Sequence, residues 1–124
     1  GDSINSIDWN LKKENLVFNN YIGSLIRIRK AHPAFRMTTA AQVSKNIYFD
    51  EQAPAGTIVY TINGTAVQDS WKKIWVAFNG SNDDKEILLP GGEWKTGIDT
   101  EGKYTKQSGK AQLKKYSALL LYQQ

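Results

Sequence analysis

The chain has a single histidine, His32, and it stands directly before Pro33. A serine-histidine-aspartate triad would have to use it, and no Gly-x-Ser-x-Gly nucleophile elbow accompanies it. A histidine at a helix end, next to proline, suits a local role such as bonding the last helix carbonyls. The sequence contains no cysteine, which excludes disulfides, thiolate metal sites and a cysteine nucleophile in this segment. Only carboxylates are left to join His32 as ligands, so no metal site is expected. Asn82-Asp83-Asp84 lacks the spaced ligands of an EF-hand loop and reads as a hairpin turn. No phosphate loop or dinucleotide fingerprint occurs, and Pro90-Gly91-Gly92 breaks a strand without opening a helix. Asp2 and Asp8 pair on paper, but a glycosidase holds its carboxylates on rigid elements across a cleft. Both lie in a short N-terminal segment. No catalytic residue and no cofactor is therefore expected here.

The tryptophans offer different chemistry. Sugar-binding surfaces present aromatic rings that stack on pyranose faces. Trp75 lies in an apolar stretch that reads as a central strand, which favours core packing. Trp94 follows the Pro-Gly-Gly turn and is expected to plug one end of the fold. Trp71 follows Asp69-Ser70 in a loop and is the best candidate for an exposed sugar-stacking ring.

The elements that must position these residues divide at His32-Pro33. Before it, Val17, Phe18, Tyr21, Ile22, Leu25, Ile26 and Ile28 recur at helical spacing, which predicts one long helix over residues 14–31 with a broad buried stripe. Pro33 disfavours helical geometry at His32 and should end it. After it come strand patterns at residues 42–49, 57–62, 72–78, 85–89, 94–98, 111–114 and 116–122, with a short piece around Tyr104. Asn63-Gly64 reads as a tight hairpin turn. About seven or eight strands at roughly 8–12-residue spacing predict an antiparallel sandwich or barrel. Residues 72–78 and 116–122 are apolar on both faces, so something must cover the sheet from outside, and the long helix is the candidate.

Composition agrees with one folded domain: 124 residues, 40% hydrophobic and 23% charged. The net charge of +4 is spread in short pairs such as Lys72-Lys73, without the basic stripe that nucleic-acid binding needs. No apolar run approaches the ~18 residues of a membrane span. No signal-peptide pattern is visible, which leaves the compartment open.

Ile28-Arg29-Lys30-Ala31-His32-Pro33-Ala34-Phe35-Arg36 closely resembles a segment of pullulanase-type α-1,6-glucosidases, in the α-amylase superfamily (glycoside hydrolase family 13). There it closes the last helix of the catalytic (β/α)8 barrel. Gly1-Asp2-Ser3-Ile4-Asn5-Ser6-Ile7-Asp8-Trp9 resembles the stretch after the last barrel strand. Trp75-Val76-Ala77-Phe78-Asn79-Gly80-Ser81, Ile87-Leu88-Leu89-Pro90 with Trp94, and Tyr116-Ser117-Ala118-Leu119-Leu120-Leu121 resemble the C-terminal domain. The resemblance implies a mainly β fold, an antiparallel Greek-key β-sandwich preceded by one long N-terminal α-helix. It divides the chain into residues 1–36, with the barrel helix, and 37–124, the β-sandwich. It implies a non-catalytic C-terminal domain that stabilises the barrel of a starch or pullulan debranching enzyme, whose catalytic carboxylates lie upstream. A carbohydrate-binding module for α-glucans is the alternative. Asp2, Asn5, Asp8 and Trp9 match positions near the substrate-side rim of the barrel, and with Trp71 they are the candidate substrate-binding residues. The implied partners are the upstream barrel and α-glucan, with self-association possible through the exposed helix. No nucleic acid and no membrane is implied. The implied parent is a bacterial extracellular, periplasmic or cell-surface enzyme.

Overall fold

The computed structural model describes residues 6–99 and 106–124. Two helices open it, α1 (Asn10–Glu14) and α2 (Leu16–Ala31), and a 3-10 turn follows at Pro33–Arg36. The expected single helix is thus broken at Asn15, which leaves helical geometry at φ −109°, ψ 37°. Pro33 ends α2 as expected: His32 is extended at φ −115°, ψ 105°, while its N–H still bonds the Ile28 carbonyl. Next come α3 (Ala40–Asn46), β1 (Ile47–Phe49) and β2 (Thr57–Asn63), then a 3-10 turn at Gly64–Val67. The strands β3 (Lys73–Asn79), β4 (Lys85–Asp99), β5 (Gln107–Leu113) and β6 (Ser117–Gln123) complete the described fold.

The strands pair antiparallel in the order β1-β2-β3-β6-β4-β5. β4 gives the fold its second layer. Its first half pairs β5, Lys85 opposite Leu113, and its second half pairs β6, Lys95 opposite Tyr122. Between them the register shifts from Leu88 to Glu93, at Pro90-Gly91-Gly92, with Gly92 at φ +101°. Only glycine takes that φ at little cost, so the strand bends there. The expected strand break at Pro90 is instead a bend inside one 15-residue strand.

The bend lays the β4–β5 hairpin over the central strands. Ile87, Leu89, Trp94, Ala111 and Leu113 pack on Val59, Trp75, Ala77, Leu119 and Leu121. On the opposite face of β2, β3 and β6, Ile62, Ile74, Val76 and Leu120 meet Tyr21, Ile28, Ala34, Phe35 and Met37. The doubly apolar strands are therefore a middle layer, between the hairpin and the helical segment. The architecture is an antiparallel β-sandwich after N-terminal helices.

Three local expectations are corrected. Most of residues 42–49 is helical, because the Thr39 hydroxyl caps α3 by accepting the Gln42 N–H at 3.1 Å and only Ile47–Phe49 remain to pair. Asn63-Gly64 makes no two-residue hairpin. A Cβ on Gly64 would lie 2.0 Å from the Trp71 carbonyl oxygen, so glycine is required there by close approach. The α2 stripe is only partly buried: Tyr21 and Ile28 reach the core, whereas Val17 is 86% exposed and Phe18 62%. The piece around Tyr104 lies outside the described residues.

One buried amide pins the sandwich end. Asn79 Nδ2 donates to the carbonyls of Asp83 at 2.8 Å, Lys114 at 3.1 Å and Leu113 at 3.3 Å. Its Oδ1 accepts from the Ser81 N–H and hydroxyl. The end of β3 is thereby tied to the β5–β6 connection.

Candidate functional site

A buried pair of titratable side chains, His32 and Asp69, forms a cluster where α2 ends on the sheet. Loss of helical geometry at His32 swings its imidazole toward the loop that follows β2. Gln68 in that loop sits in the left-handed region at φ 58°, and the Asp69 N–H bonds the Gly64 carbonyl at 3.0 Å. Gly64 N–H reaches the Lys72 carbonyl at 2.9 Å, and Lys72 N–H the Gln123 carbonyl at 2.8 Å. The loop is thus laced to β6, which fixes Asp69.

The Asp69 carboxylate is fully enclosed and takes donors on both oxygens. Oδ1 accepts from His32 Nδ1 at 2.7 Å and from the Trp71 N–H at 2.8 Å, and Oδ2 accepts from the Ala34 N–H at 3.0 Å. Burial pushes its pKa up. The hydrogen bonds from His32, Ala34 and Trp71, with the attraction of His32, outweigh that and hold it below the ordinary carboxylate value. An ionised carboxylate only accepts, so Nδ1 of His32 carries the proton.

Above this clasp three rings form a column. His32 stacks on Trp71 with centroids 3.5 Å apart at 21°, and Trp71 on Tyr122 at 4.0 Å and 11°. Gly97 makes room for the column: a Cβ there would come within 3.2 Å of the Trp71 ring and 2.6 Å of Leu120 Cδ2. Two cross-links brace the same turn. Arg29 donates to the Phe35 carbonyl at 2.7 Å, and Arg36 to the Lys30 carbonyl at 3.1 Å. One face of the imidazole, against Trp71, and its Nδ1, on Asp69, are committed to this joint, so the site transmits position rather than protons.

The expected exposure of Trp71 is corrected. Both faces of its indole are covered, by His32 and Tyr122, so neither is open to a pyranose ring. Trp75 and Trp94 are core residues, and Trp94 Nε1 donates to the Pro90 carbonyl at 2.9 Å. Asp8 Oδ1 accepts the Asn10 N–H at 2.9 Å at the start of α1, and Trp9 beside it is 71% exposed. Asp2 and Asn5 lie outside the described residues. Among the described residues no cluster of three or more His, Asp or Glu could hold a metal ion. Nor is any described helix long and apolar enough to cross a membrane. Reading the sequence alone missed Asp69 and Tyr122. The one local sign was Asp69 two residues before Trp71, the spacing at which an aspartate bonds a backbone N–H ahead of it.

A helix clasped to a β-sandwich through a buried carboxylate defines a structural module. The comparisons place it. The family model for the all-beta domain of pullulanase matches residues 43–101. Pullulanase of Bacillus subtilis strain 168 is 36% identical over 89 residues, which are 72% of this chain and 12% of that protein. The solved pullulanase of Bacillus acidopullulyticus superposes with a TM-score of 0.89 at 35% identity, over 99% of this chain and 16% of that one. The pullulanase of an Anoxybacillus species gives 0.90 at 28% identity, over 99% and 17%. The chain therefore spans only about an eighth to a sixth of these relatives. It belongs to the pullulanase family, as a fragment that carries the all-β domain and not the catalytic barrel.

Proposed function

We propose that this segment is the non-catalytic C-terminal domain of a debranching enzyme, which hydrolyses α-1,6 linkages in starch or pullulan, and that it stabilises the catalytic barrel. The observation that carries this reading is how little of the apolar surface of α2 the sheet covers. Tyr21 and Ile28 bind it to the sheet, while Leu16, Val17, Phe18, Ile22, Leu25 and Ile26 stay exposed, Val17 and Leu25 on the same stripe as Tyr21 and Ile28 and the others round the helix from it. A solvated surface helix turns polar residues outward. An apolar outer face calls for a partner, and the barrel is the partner this reading assigns. Covering it removes apolar area from water at ~25 cal/mol per Å2, across an interface of ~600–1,500 Å2. On this reading residues 1–36 belong to the barrel's edge and 37–124 to the β domain, joined by the His32–Asp69 clasp.

Deleting residues 37–124 from the parent enzyme tests the proposal. The expected result is inactivation at a lower temperature, with turnover on pullulan retained by the molecules still folded. An unchanged inactivation temperature would refute it.

One observation favours a glucan role for the N-terminal segment. Trp9 is an exposed aromatic beside the Asp8 carboxylate, as a cleft-rim residue would be. Trp9→Ala in the parent should then raise KM for branched glucan and leave stability unchanged. An unaltered KM removes this role from Trp9, and with it the case for Asp2, Asn5 and Asp8.

A further inference from the structure

The middle sheet is covered unevenly on its helical side. Residues directly opposite in an antiparallel ladder point to the same face. Phe49 faces Tyr60, Ile62 faces Ile74, and Ile58 faces Phe78, which faces Ala118. All lie on the face that α2 and the Pro33–Arg36 turn cover. The cover reaches Ile62, Ile74, Val76 and Leu120 and stops at half-buried Tyr60. Beyond it Phe49 is 66% exposed, Ile58 56% and Phe78 46%. An apolar groove lined by Arg29, Phe35, Met37 and Val43 leads from the end of α2 to Phe49.

The opposite side of the molecule is built for water. The outer face of the β4–β5 hairpin carries Lys110–Glu86 at 2.7 Å, Lys106–Glu93 at 2.9 Å and Gln112 donating to Glu86 at 2.7 Å. The two uncovered apolar surfaces, on α2 and on the sheet beyond Tyr60, flank the same helix–sheet core. The groove from Arg29 of α2 to Phe49 joins them, so a body seated on the end of α2 reaches toward both.

We propose that Phe49, Ile58 and Phe78 form a second docking surface, continuous with the α2–sheet interface, for an apolar face of the rest of the parent chain. This rests on the reading that the parent covers α2, and it adds that the β domain is held at two places. The first contact, through the α2–sheet core and the His32–Asp69 clasp, seats one end of the sheet on the helix and leaves the part beyond Tyr60 without support. Two contacts fix its angle to the barrel.

Site-directed thiol labelling tests it, because the segment has no cysteine of its own. Ile58→Cys, Phe78→Cys, Phe18→Cys and Leu88→Cys are made singly, in the parent enzyme and in the 124-residue chain. Labelling is followed by peptide mass mapping. Leu88, 73% exposed on the hairpin, is the control and should label equally in both. Positions 58 and 78 should label about tenfold or more slowly in the parent than in the short chain, as expected where labelling must wait for local opening. Ile58→Cys keeps the test valid if Phe78→Cys fails to fold. Rapid labelling at 58 and 78 in the parent, with 18 protected, would overturn the second surface and leave the proposed function standing. Rapid labelling at all three would overturn both. Protection in the short chain that disappears on dilution would make a second copy the occupant and overturn the proposal.

Discussion

His32 Nδ1 lies 2.7 Å from Asp69 Oδ1, joining residues 37 apart in sequence at the point where a helix meets a β-sandwich. The pair is enclosed, and the second carboxylate oxygen is also occupied. Removing one partner therefore leaves the other desolvated and short of hydrogen bonds. Asp69→Ala should strand the Ala34 and Trp71 N–H groups and the His32 proton, and destabilise the chain by about 3–5 kcal/mol. His32→Ala leaves Asp69 two backbone donors and should cost less, about 2–3 kcal/mol, including the lost stack on Trp71. Urea unfolding followed by tryptophan fluorescence checks both. Negligible losses in both would show that the clasp does not bear on stability, and a loss for His32→Ala as large as that for Asp69→Ala would overturn the ordering.

The clasp also carries a sign in pH. The folded-state pKa of Asp69 is lowered, so ionisation favours the folded form. Its contribution is fully present above the unfolded carboxylate value of ~3.9 and is lost as pH falls through the lower folded value. Asp69→Asn should therefore be less stable than the wild type at pH 7 by a margin that holds down to about pH 5. That margin should close below ~pH 4. Asp84 and Glu86 are also lowered, Asp84 by the Lys115 N–H first and Glu86 by Lys110 first, but both lie on the surface in contact with water, and screening leaves them a minor part of acid unfolding. Unfolding midpoints of the two proteins across pH 2–7 would show the convergence, and parallel curves would rule it out.

Asn79 should prove the most sensitive polar residue of the sandwich end. Its amide nitrogen faces three carbonyls, from Asp83, Leu113 and Lys114. Asn79→Ala leaves these without their donor and should cost about 1–3 kcal/mol. Asn79→Asp replaces the donor by a carboxylate oxygen aimed at carbonyl oxygens and should cost more than alanine at pH 7. Protonation would let the carboxyl donate once, so the two variants should draw together in acid. Thermal melts at pH 7 and pH 4 distinguish them. An aspartate variant as stable as wild type at pH 7 would mean that the amide bonds contribute nothing.

The residues that were legible and those that were not differ in kind. Strands β2, β3 and β6 could be read because alternation of apolar side chains is a local signal, and apolarity on both faces announced a middle layer. Pro33 marked the end of α2 for an equally local reason. The bend of β4 could not be read, because Pro90-Gly91-Gly92 carries the same signature whether the chain stops or turns a corner, and only the pairing with β5 and then β6 decides. Residues 42–49 went astray because a capping Thr39 and Ala40-Ala41 outweigh the apolar alternation that follows. Trp71 was misplaced for a tertiary reason. Its loop position was right, but the rings that cover it, His32 and Tyr122, come from 39 residues before and 51 after, and no spacing rule connects them. The family segment from Ile28 to Arg36 was recognisable, and the structure supplies its logic in Arg29, His32, Ala34 and Arg36, each bonded across the turn or to Asp69.

The outward face of α2 leads to a last prediction for the chain on its own. Val17, Phe18 and Ile26 are 86%, 62% and 53% exposed, and Leu16 and Trp9 extend the same N-terminal surface. Without the rest of the parent these side chains are in water, and two copies can cover each other. The isolated chain should sediment as a monomer at micromolar concentration and shift toward dimer as concentration rises. Phe18→Glu and Ile26→Glu change no residue of the α2–sheet core, where Tyr21 and Ile28 hold the helix, so the fold should survive them. Each should weaken association by about 1–3 kcal/mol, because an unpaired carboxylate would have to be buried at the contact. Sedimentation velocity on the wild type and the two variants measures the shift, with circular dichroism as the check on folding. Association that persists unchanged in both variants would place the self-contact elsewhere. The wild type remaining monomeric at millimolar concentration would show that this face needs the parent's own surface, shaped to it, before it closes.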